Sequence, residues 1–144
     1  MPQVNRAELQ QLATDRIEDA RMDTATLVDE QIVEGARFVD HLKQNGFDVI
    51  VAVWVLTSEE GLWFLYIASG VVDTDDLATA YRKVYRELSR SQIVWVARSD
   101  IKLIGSQNPI TIDALENQRS TVPTKYHGRQ LGNMIVDEAY IYPS

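Results

Sequence analysis

Two apolar runs separated by a short polar segment dominate the pattern of the chain. The first run, Phe47–Leu56, is rich in β-branched residues, and Asp48 is its only polar member. The second run, Leu62–Ser69, is rich in aromatic and branched residues. Such compositions favour β-strands, and the polar segment Thr57–Gly61 between them ends in a glycine that can close a turn. We therefore predict a β-hairpin over residues 47–69.

Both faces of the predicted hairpin are apolar. Successive side chains of a strand point to opposite sides, which places Val51, Val53 and Val55 on one face and Ala52 and Trp54 on the other. Strands of this kind are normally covered on both sides. At ~25 cal/mol per Å², leaving one face of the hairpin in water would cost on the order of 10 kcal/mol, which is comparable with the stability of a whole domain.

Helical periodicity predicts a loosely specified N-terminal helix within residues 1–24 and a second helix over residues 30–44. The first begins at a capping box, Asn5-Arg-Ala-Glu8, and the second follows Asp29 as N-cap and ends at Asn45-Gly46. The apolar positions of the first helix are Leu9, Leu12, Ala13, Ile17 and Ala20, and those of the second are Ile32, Val33, Ala36, Val39 and Leu42.

Two more helices are predicted after the hairpin. The helix at residues 75–89 follows Asp73 or Thr74 as N-cap, and a short helix at residues 110–117 has Pro109 in its first turn. The first of these carries one apolar stripe at helical spacing, formed by Leu77, Tyr81, Val84 and Leu88.

Short segments near residues 101–104, 122–130 and 138–142 predict further strands. Together with the hairpin they give an α+β fold, with an antiparallel sheet of about four to five strands and helices packed against it. The length of 144 residues fits one domain, residues 1–144.

The predicted helices have too little apolar surface to bury both faces of the hairpin. The helices at 30–44 and 75–89 have one apolar stripe each and can cover one face, whereas the N-terminal helix is thinly apolar and acidic on its outer side. We therefore predict that helix swapping or a second copy of the chain closes the other face, which makes the protein a homodimer. The alternative is a monomer with helices on both faces of the sheet.

Composition narrows the class of protein. The chain has no cysteine, which excludes disulfides and thiolate metal sites and is compatible with the cytoplasm. We see no signal-peptide core and no apolar run of the ~20 residues that span a bilayer, so we expect a soluble, cytoplasmic protein without membrane contact. The net charge is −7, and an acidic surface disfavours nucleic acid as a partner.

Four neighbouring residues form the most chemically capable cluster in the sequence: Lys125, Tyr126, His127 and Arg129. An imidazole, a phenol and two cations could bind an anion or perform acid–base chemistry. We also note a basic face on the helix at 75–89, formed by Arg82, Lys83, Arg86 and Arg90. Either group could instead be an ordinary solvated surface.

Two resemblances accompany these patterns. Leu12–Arg21 resembles the opening helix of HEPN-domain proteins, some of which are ribonucleases of toxin–antitoxin pairs. Those nucleases carry an Arg and a His on a later helix, at a spacing that neither Arg37 with His41 nor Arg119 with His127 reproduces, so the resemblance does not imply nuclease activity.

The second resemblance is broader. Trp54, the run Gly61-x-Trp63-x-Leu65-x-Ile67-Ala-Ser69, Asp100-Ile101 and the closing Glu138-Ala-Tyr-Ile-Tyr142 resemble a group of small bacterial α+β proteins of unassigned function. These motifs consist mostly of apolar residues of the structural framework. The resemblance therefore implies a fold and does not indicate an activity.

From the sequence we expect a non-catalytic interaction or accessory protein with an unidentified protein partner, in a setting such as defence or a toxin–antitoxin pair. No cofactor and no metal site are predicted. Two alternatives stay open: a small hydrolase or nuclease that uses His127 with Lys125 or Arg129, and a nucleic-acid-binding module that uses the basic helix face.

Overall fold

The computed structural model describes residues 27–144, so the predicted N-terminal helix lies outside the described residues. Helices and strands are interspersed along the chain, and together they form an α+β fold. They are α1 (Asp29–Gln44), β1 (Val51–Leu56), β2 (Trp63–Ala68), α2 (Gly70–Thr74), α3 (Leu77–Ser91), a short 3-10 helix (Arg98–Asp100), β3 (Ile101–Ile104), α4 (Pro109–Asn117), β4 (Thr124–Leu131) and β5 (Met134–Ile141).

The strands form one five-stranded sheet in the order β3-β2-β1-β5-β4. The predicted hairpin is confirmed: β1 and β2 pair antiparallel, and Gly61 takes a φ of +67° in the turn between them. The prediction of an antiparallel sheet was wrong for one pair, because β3 runs parallel to β2, with Leu65 opposite Ile101. A crossover through α2 and α3 separates these two strands, and a connection of that length permits the parallel arrangement.

One face of the sheet is covered by α1 and α3, as predicted. Trp54, Leu65 and Ile67 are fully buried on this side and share a core cluster with Phe38 of α1 and Val84 of α3. Since α1 and α3 each supply one apolar stripe, the pair covers one face and leaves the opposite face to other elements.

The opposite face is covered by α4 of the same chain. Val51, Val53 and Val55 are 3%, 1% and 2% exposed, and they share a second core cluster with Ile110 and Ala114 of α4. The expectation from the sequence was that this face needs a second copy of the chain, because the predicted helices are too few to bury it. That reason was wrong: the short helix at residues 109–117 buries the face within one chain.

Helix α3 begins later than predicted. Asp76 is its N-cap and accepts a hydrogen bond from the Thr79 amide at 2.6 Å, whereas Asp73 and Thr74 belong to the separate helix α2. Because the helix starts at Leu77, that side chain lies in the first turn and is 48% exposed. Ala80 is buried in its place.

Helix α1 turns part of its predicted apolar stripe towards solvent. Its buried residues include Gly35, Phe38 and Leu42, while Val33 is 56% exposed and Ile32 is half-buried. The helix thus packs on the sheet along one side and presents apolar side chains beside it. Among residues 27–144, no helix is long and apolar enough to cross a membrane.

Candidate functional site

The four residues predicted as a cluster on β4 are divided between two sides of the strand. Lys125 and His127 line a cavity on the α1 side, whereas Tyr126 is buried in the core on the α4 side. The Arg129 guanidinium lies 4.0 Å from the centroid of the Tyr126 ring. Gly128, with a φ of +57°, interrupts the alternation of the strand and lets residues 126 and 129 share a side. The cluster is therefore not one site.

Tyr126 has a structural role in this arrangement. Its hydroxyl donates a hydrogen bond of 2.8 Å to Asp113 of α4, and the other carboxylate oxygen of Asp113 accepts one of 2.7 Å from the Gly132 amide. Burial, followed by the hydrogen bond to Asp113 and the charge of that carboxylate, raises the pKa of Tyr126 to about 12. The phenol ties α4 to the β4–β5 hairpin and stays protonated at neutral pH.

His127 has a carboxylate neighbour in a concave setting. Its Nδ1 lies 3.5 Å from Oε1 of Glu138 on the paired strand β5, and both residues line the cavity that contains Lys125. The distance exceeds that of a typical catalytic hydrogen bond, and the His127 side chain is 70% exposed. The pair is solvated like an ordinary surface ion pair.

A concave surface lies between α1 and the end of β5. This α1–β5 groove has a volume of about 470 Å³. Its floor and walls are mainly apolar, and charged side chains stand at its rim. It is lined by Ile32, Val33, Ala36, Arg37, Val39, Asp40, Lys43, Tyr140, Tyr142 and Pro143.

The cavity of His127 adjoins this groove. Its volume is about 320 Å³, and it shares Ile32 and Tyr140 with the groove. Leu27 and Trp63 add apolar surface to it. The two spaces therefore adjoin beside α1 and the paired strands β4 and β5, and together they make up the combined depression.

A buried hydrogen-bonded link fixes the groove to the core. The Trp54 indole N–H donates to the Tyr142 hydroxyl at 2.8 Å, and that hydroxyl donates to the backbone carbonyl of Ile32 at 2.6 Å. Burial raises the pKa of Tyr142, so the phenol keeps the proton that it donates. Gly35 leaves the space for this hydroxyl, because a Cβ there would collide with it.

Cations outnumber anions around the combined depression. Arg37, Lys43 and Lys125 line it on the positive side, and Asp40 and Glu138 on the negative side. That balance of +1 contrasts with the net charge of −7 of the whole sequence. An acidic ligand would therefore meet a more favourable field here than over most of the surface.

The basic face of α3 is tied to carboxylates. Lys83 pairs with Asp75 at 3.1 Å, and Arg86 and Arg90 approach the buried Glu87 at 3.6 and 3.4 Å. Glu87 also lies 3.0 Å from His41 of α1. Arg82 is exposed. The cations of this face thus pair with carboxylates on or next to α3 itself, and among these contacts only that of His41 with Glu87 joins α1 to α3. This pattern favours the solvated-surface interpretation.

The acidic residues near α2 serve separate structural roles. Asp73 accepts a hydrogen bond from the Ser106 amide at 2.9 Å, Asp75 pairs with Lys83 and Asp76 caps α3. Within residues 27–144 no group of three or more His, Asp or Glu side chains is placed to hold a metal ion.

Comparison with known protein families, curated protein sequences and solved structures gives no match to this chain.

Sequence reasoning assigned Ile32, Val33 and Ala36 to the buried side of their helix and did not identify the groove. One signal was present: α1 has more apolar positions than a single packing stripe requires, since Phe38 and Leu42 already fill the core side. Tyr140 and Tyr142 were recognised as parts of a terminal strand, but only the fold brings them against α1.

Proposed function

We propose that this chain is a cytoplasmic, non-catalytic interaction protein that uses the α1–β5 groove to bind a helical segment of a protein partner. The observation that carries the proposal is the open apolar groove itself, in which Val33 is 56% exposed beside Tyr140 and Ala36. Apolar side chains left in water beside a concave surface favour a ligand that covers them.

The shape of the groove supports a helix as ligand. Its wall follows α1 from Ile32 to Lys43, which at 1.5 Å per residue is about 17 Å. An amphipathic helix laid along such a wall would bury its apolar residues at i, i+3, i+4 and i+7. The cationic rim of Arg37, Lys43 and Lys125 favours a partner with acidic residues beside that stripe.

The chemistry of the site supports binding over catalysis. Tyr126 and Arg129, two of the four predicted residues, lie away from the groove, and the remaining imidazole is mostly solvated beside Glu138. A hydrolase built on His127 would need a bound substrate close to that ring and groups that stabilise its developing charge. The groove instead offers apolar contact area, which supplies affinity without chemistry.

A selection from a library of helical peptides, displayed against the full-length protein, tests this proposal. We expect the selected peptides to carry an apolar stripe flanked by Asp or Glu. Val33→Glu should weaken their binding at least about tenfold, equivalent to ~1.4 kcal/mol, because it puts a negative charge into the groove. Fluorescence anisotropy with a labelled peptide measures the affinity.

Ile112→Glu is the matched control. Ile112 is an aliphatic residue of α4, 44% exposed, on the opposite side of the sheet, and its substitution should leave peptide affinity unchanged. Selected peptides that bind both variants equally well, or a selection that yields no saturable binder, would contradict the proposal.

The predicted homodimer is a separate proposal. An uncovered sheet face no longer supports it, because α4 covers that face; what supports it is the same open groove, whose apolar wall a second copy could contact. Light scattering after size exclusion at micromolar concentration measures the mass, and a monomeric mass that Val33→Glu does not alter would exclude a dimer through this groove.

A further inference from the structure

We propose that the α1–β5 groove is the docking site of the chain's own residues 9–20, which would compete with a partner for it. The inference rests on the proposed function and concerns the regulation of the same surface.

The described chain starts inside the depression. Leu27 lines the cavity of His127, and α1, which forms the groove wall, starts two residues later at Asp29. The sequence before Leu27 therefore continues from the cavity that adjoins the groove. Residues 21–26 can extend up to about 20 Å, which is enough to return a preceding segment along the wall.

The length of residues 9–20 matches the wall. As a helix these twelve residues would extend about 18 Å, against about 17 Å for the part of α1 from Ile32 to Lys43 that lines the groove. The sequence predicts a helix there that is too thinly apolar to be stable by itself, and contact with the groove would supply the missing burial.

The chemistry is complementary. Leu9, Leu12, Ile17 and two alanines recur at helical spacing and would meet the exposed apolar wall at Val33. The same stretch carries Asp15, Glu18 and Asp19 against one cation, Arg16, a net charge of −2. The depression carries Arg37, Lys43 and Lys125 against two carboxylates, so the two surfaces attract each other.

Covalent attachment makes such docking effective even when its intrinsic affinity is low. A segment held by a short flexible connection has an effective concentration in the millimolar range. A partner helix would have to displace it, and would bind more tightly to a chain whose own segment cannot dock.

Engineered disulfides test the docking in the full-length chain. Since the protein has no cysteine, only introduced thiols react. We expect Val33→Cys combined with Ala13→Cys or Ala20→Cys to form an intramolecular disulfide in a redox buffer at least about tenfold faster than the control pairs. The controls combine Ile112→Cys, on the opposite side of the sheet, with the same cysteine at position 13 or 20.

Gel mobility and mass under non-reducing conditions separate the outcomes. Equal rates for the Val33 and Ile112 pairs would overturn the proposal. Disulfides between two chains instead of within one would also overturn it and would assign the groove to a second copy.

A second measurement distinguishes this inference from the proposed function. Leu12→Asp with Ile17→Asp should tighten the binding of a selected groove peptide several-fold, because the competitor is removed. If the disulfide is absent and the peptide binds wild type and this variant equally, docking of residues 9–20 is wrong while the groove remains a binding surface. If no peptide depends on Val33, the proposed function fails as well.

Discussion

At the scale of single residues, Tyr142 connects the core to the groove. It follows β5 directly, and its hydroxyl stands between the Trp54 indole and the Ile32 carbonyl. Trp54 is fully buried, so its N–H has no access to water as a replacement partner. Gly35 makes room for the hydroxyl on α1. One phenol therefore sets the distance between the sheet and the helix that forms the groove wall.

We expect Tyr142→Phe to destabilise the fold by about 1–3 kcal/mol, because it leaves the buried Trp54 N–H without its acceptor. Urea denaturation followed by tryptophan fluorescence measures the free energy of unfolding. Tyr140→Phe is the matched control: this half-buried groove residue should change stability by less than about 0.5 kcal/mol. Equal effects of the two substitutions would show that the hydrogen bonds of Tyr142 to Trp54 and Ile32 contribute no more to stability than those of an ordinary surface tyrosine.

We expect the free energy of unfolding to fall at alkaline pH because of Tyr126. Its pKa is raised from 10.0 to about 12 in the folded chain, so between those values the unfolded state has lost a proton that the folded state keeps. The stabilisation is fully present below pH ~10 and is lost as the pH rises through the folded pKa.

Tyr126→Phe isolates this contribution. The difference in unfolding free energy between wild type and variant should be constant below pH ~10 and shrink towards pH ~12. Equilibrium urea denaturation at a series of pH values measures it, with the other tyrosines as a shared background. A difference that stays constant across this range would contradict the assigned environment of the phenol.

At the scale of elements, the contact of α4 with the β4–β5 turn closes the second face of the sheet. Gly132 in that turn has a φ of +61°, and a Cβ on it would lie 2.6 Å from the Ile110 amide nitrogen at the start of α4. Asp113 of the same helix accepts the Gly132 amide hydrogen bond. The close backbone contact at Gly132 and the hydrogen bond to Asp113 together hold α4 against Val51, Val53 and Val55 of β1.

Gly132→Ala should therefore be more destabilising than Gly46→Ala. Both glycines have positive φ, for which an alanine costs ~1–2 kcal/mol, but nothing lies within 4 Å of a Cβ at Gly46. The crowding against α4 should add about 1–3 kcal/mol at Gly132. Thermal or urea unfolding gives the difference; indistinguishable variants would mean that α4 does not sit where the structure places it.

Most elements could be predicted from the sequence because local patterns define them. The hairpin, α1 and α4 were found through their apolar runs, the Asn45-Gly46 ending and Pro109. The parallel pairing of β3 was not, since Ile101–Ile104 reads the same in either direction and the choice depends on α2 and α3 crossing the sheet. Local patterns define elements, whereas pairing is decided by long-range packing.

The candidate site was predictable only in part. Lys125 and His127 were identified and do line a cavity. Tyr126 and Arg129 were grouped with them because four adjacent polar residues look like one cluster, but strand alternation and the positive φ of Gly128 separate them. The groove itself joins α1 to the end of β5, about a hundred residues later in the chain, so no local pattern could reveal it.

At the scale of the whole molecule, both sheet faces are covered within the described chain, and an open apolar groove lies at the side of α1. The core therefore needs no second chain to bury it, whereas the groove has room for a ligand. The cations on its rim, in a chain with a net charge of −7, indicate an acidic occupant, and residues 9–20 have that character.

Chemical-shift mapping by NMR tests the groove most directly. The labelled full-length protein carrying Leu12→Asp and Ile17→Asp is titrated with an unlabelled peptide of residues 5–24 in the wild-type sequence. We expect saturable changes centred on the amides of Val33, Ala36 and Tyr140, with Ile112 unaffected. Changes centred on α4, or no saturable change at any described residue, would contradict this expectation.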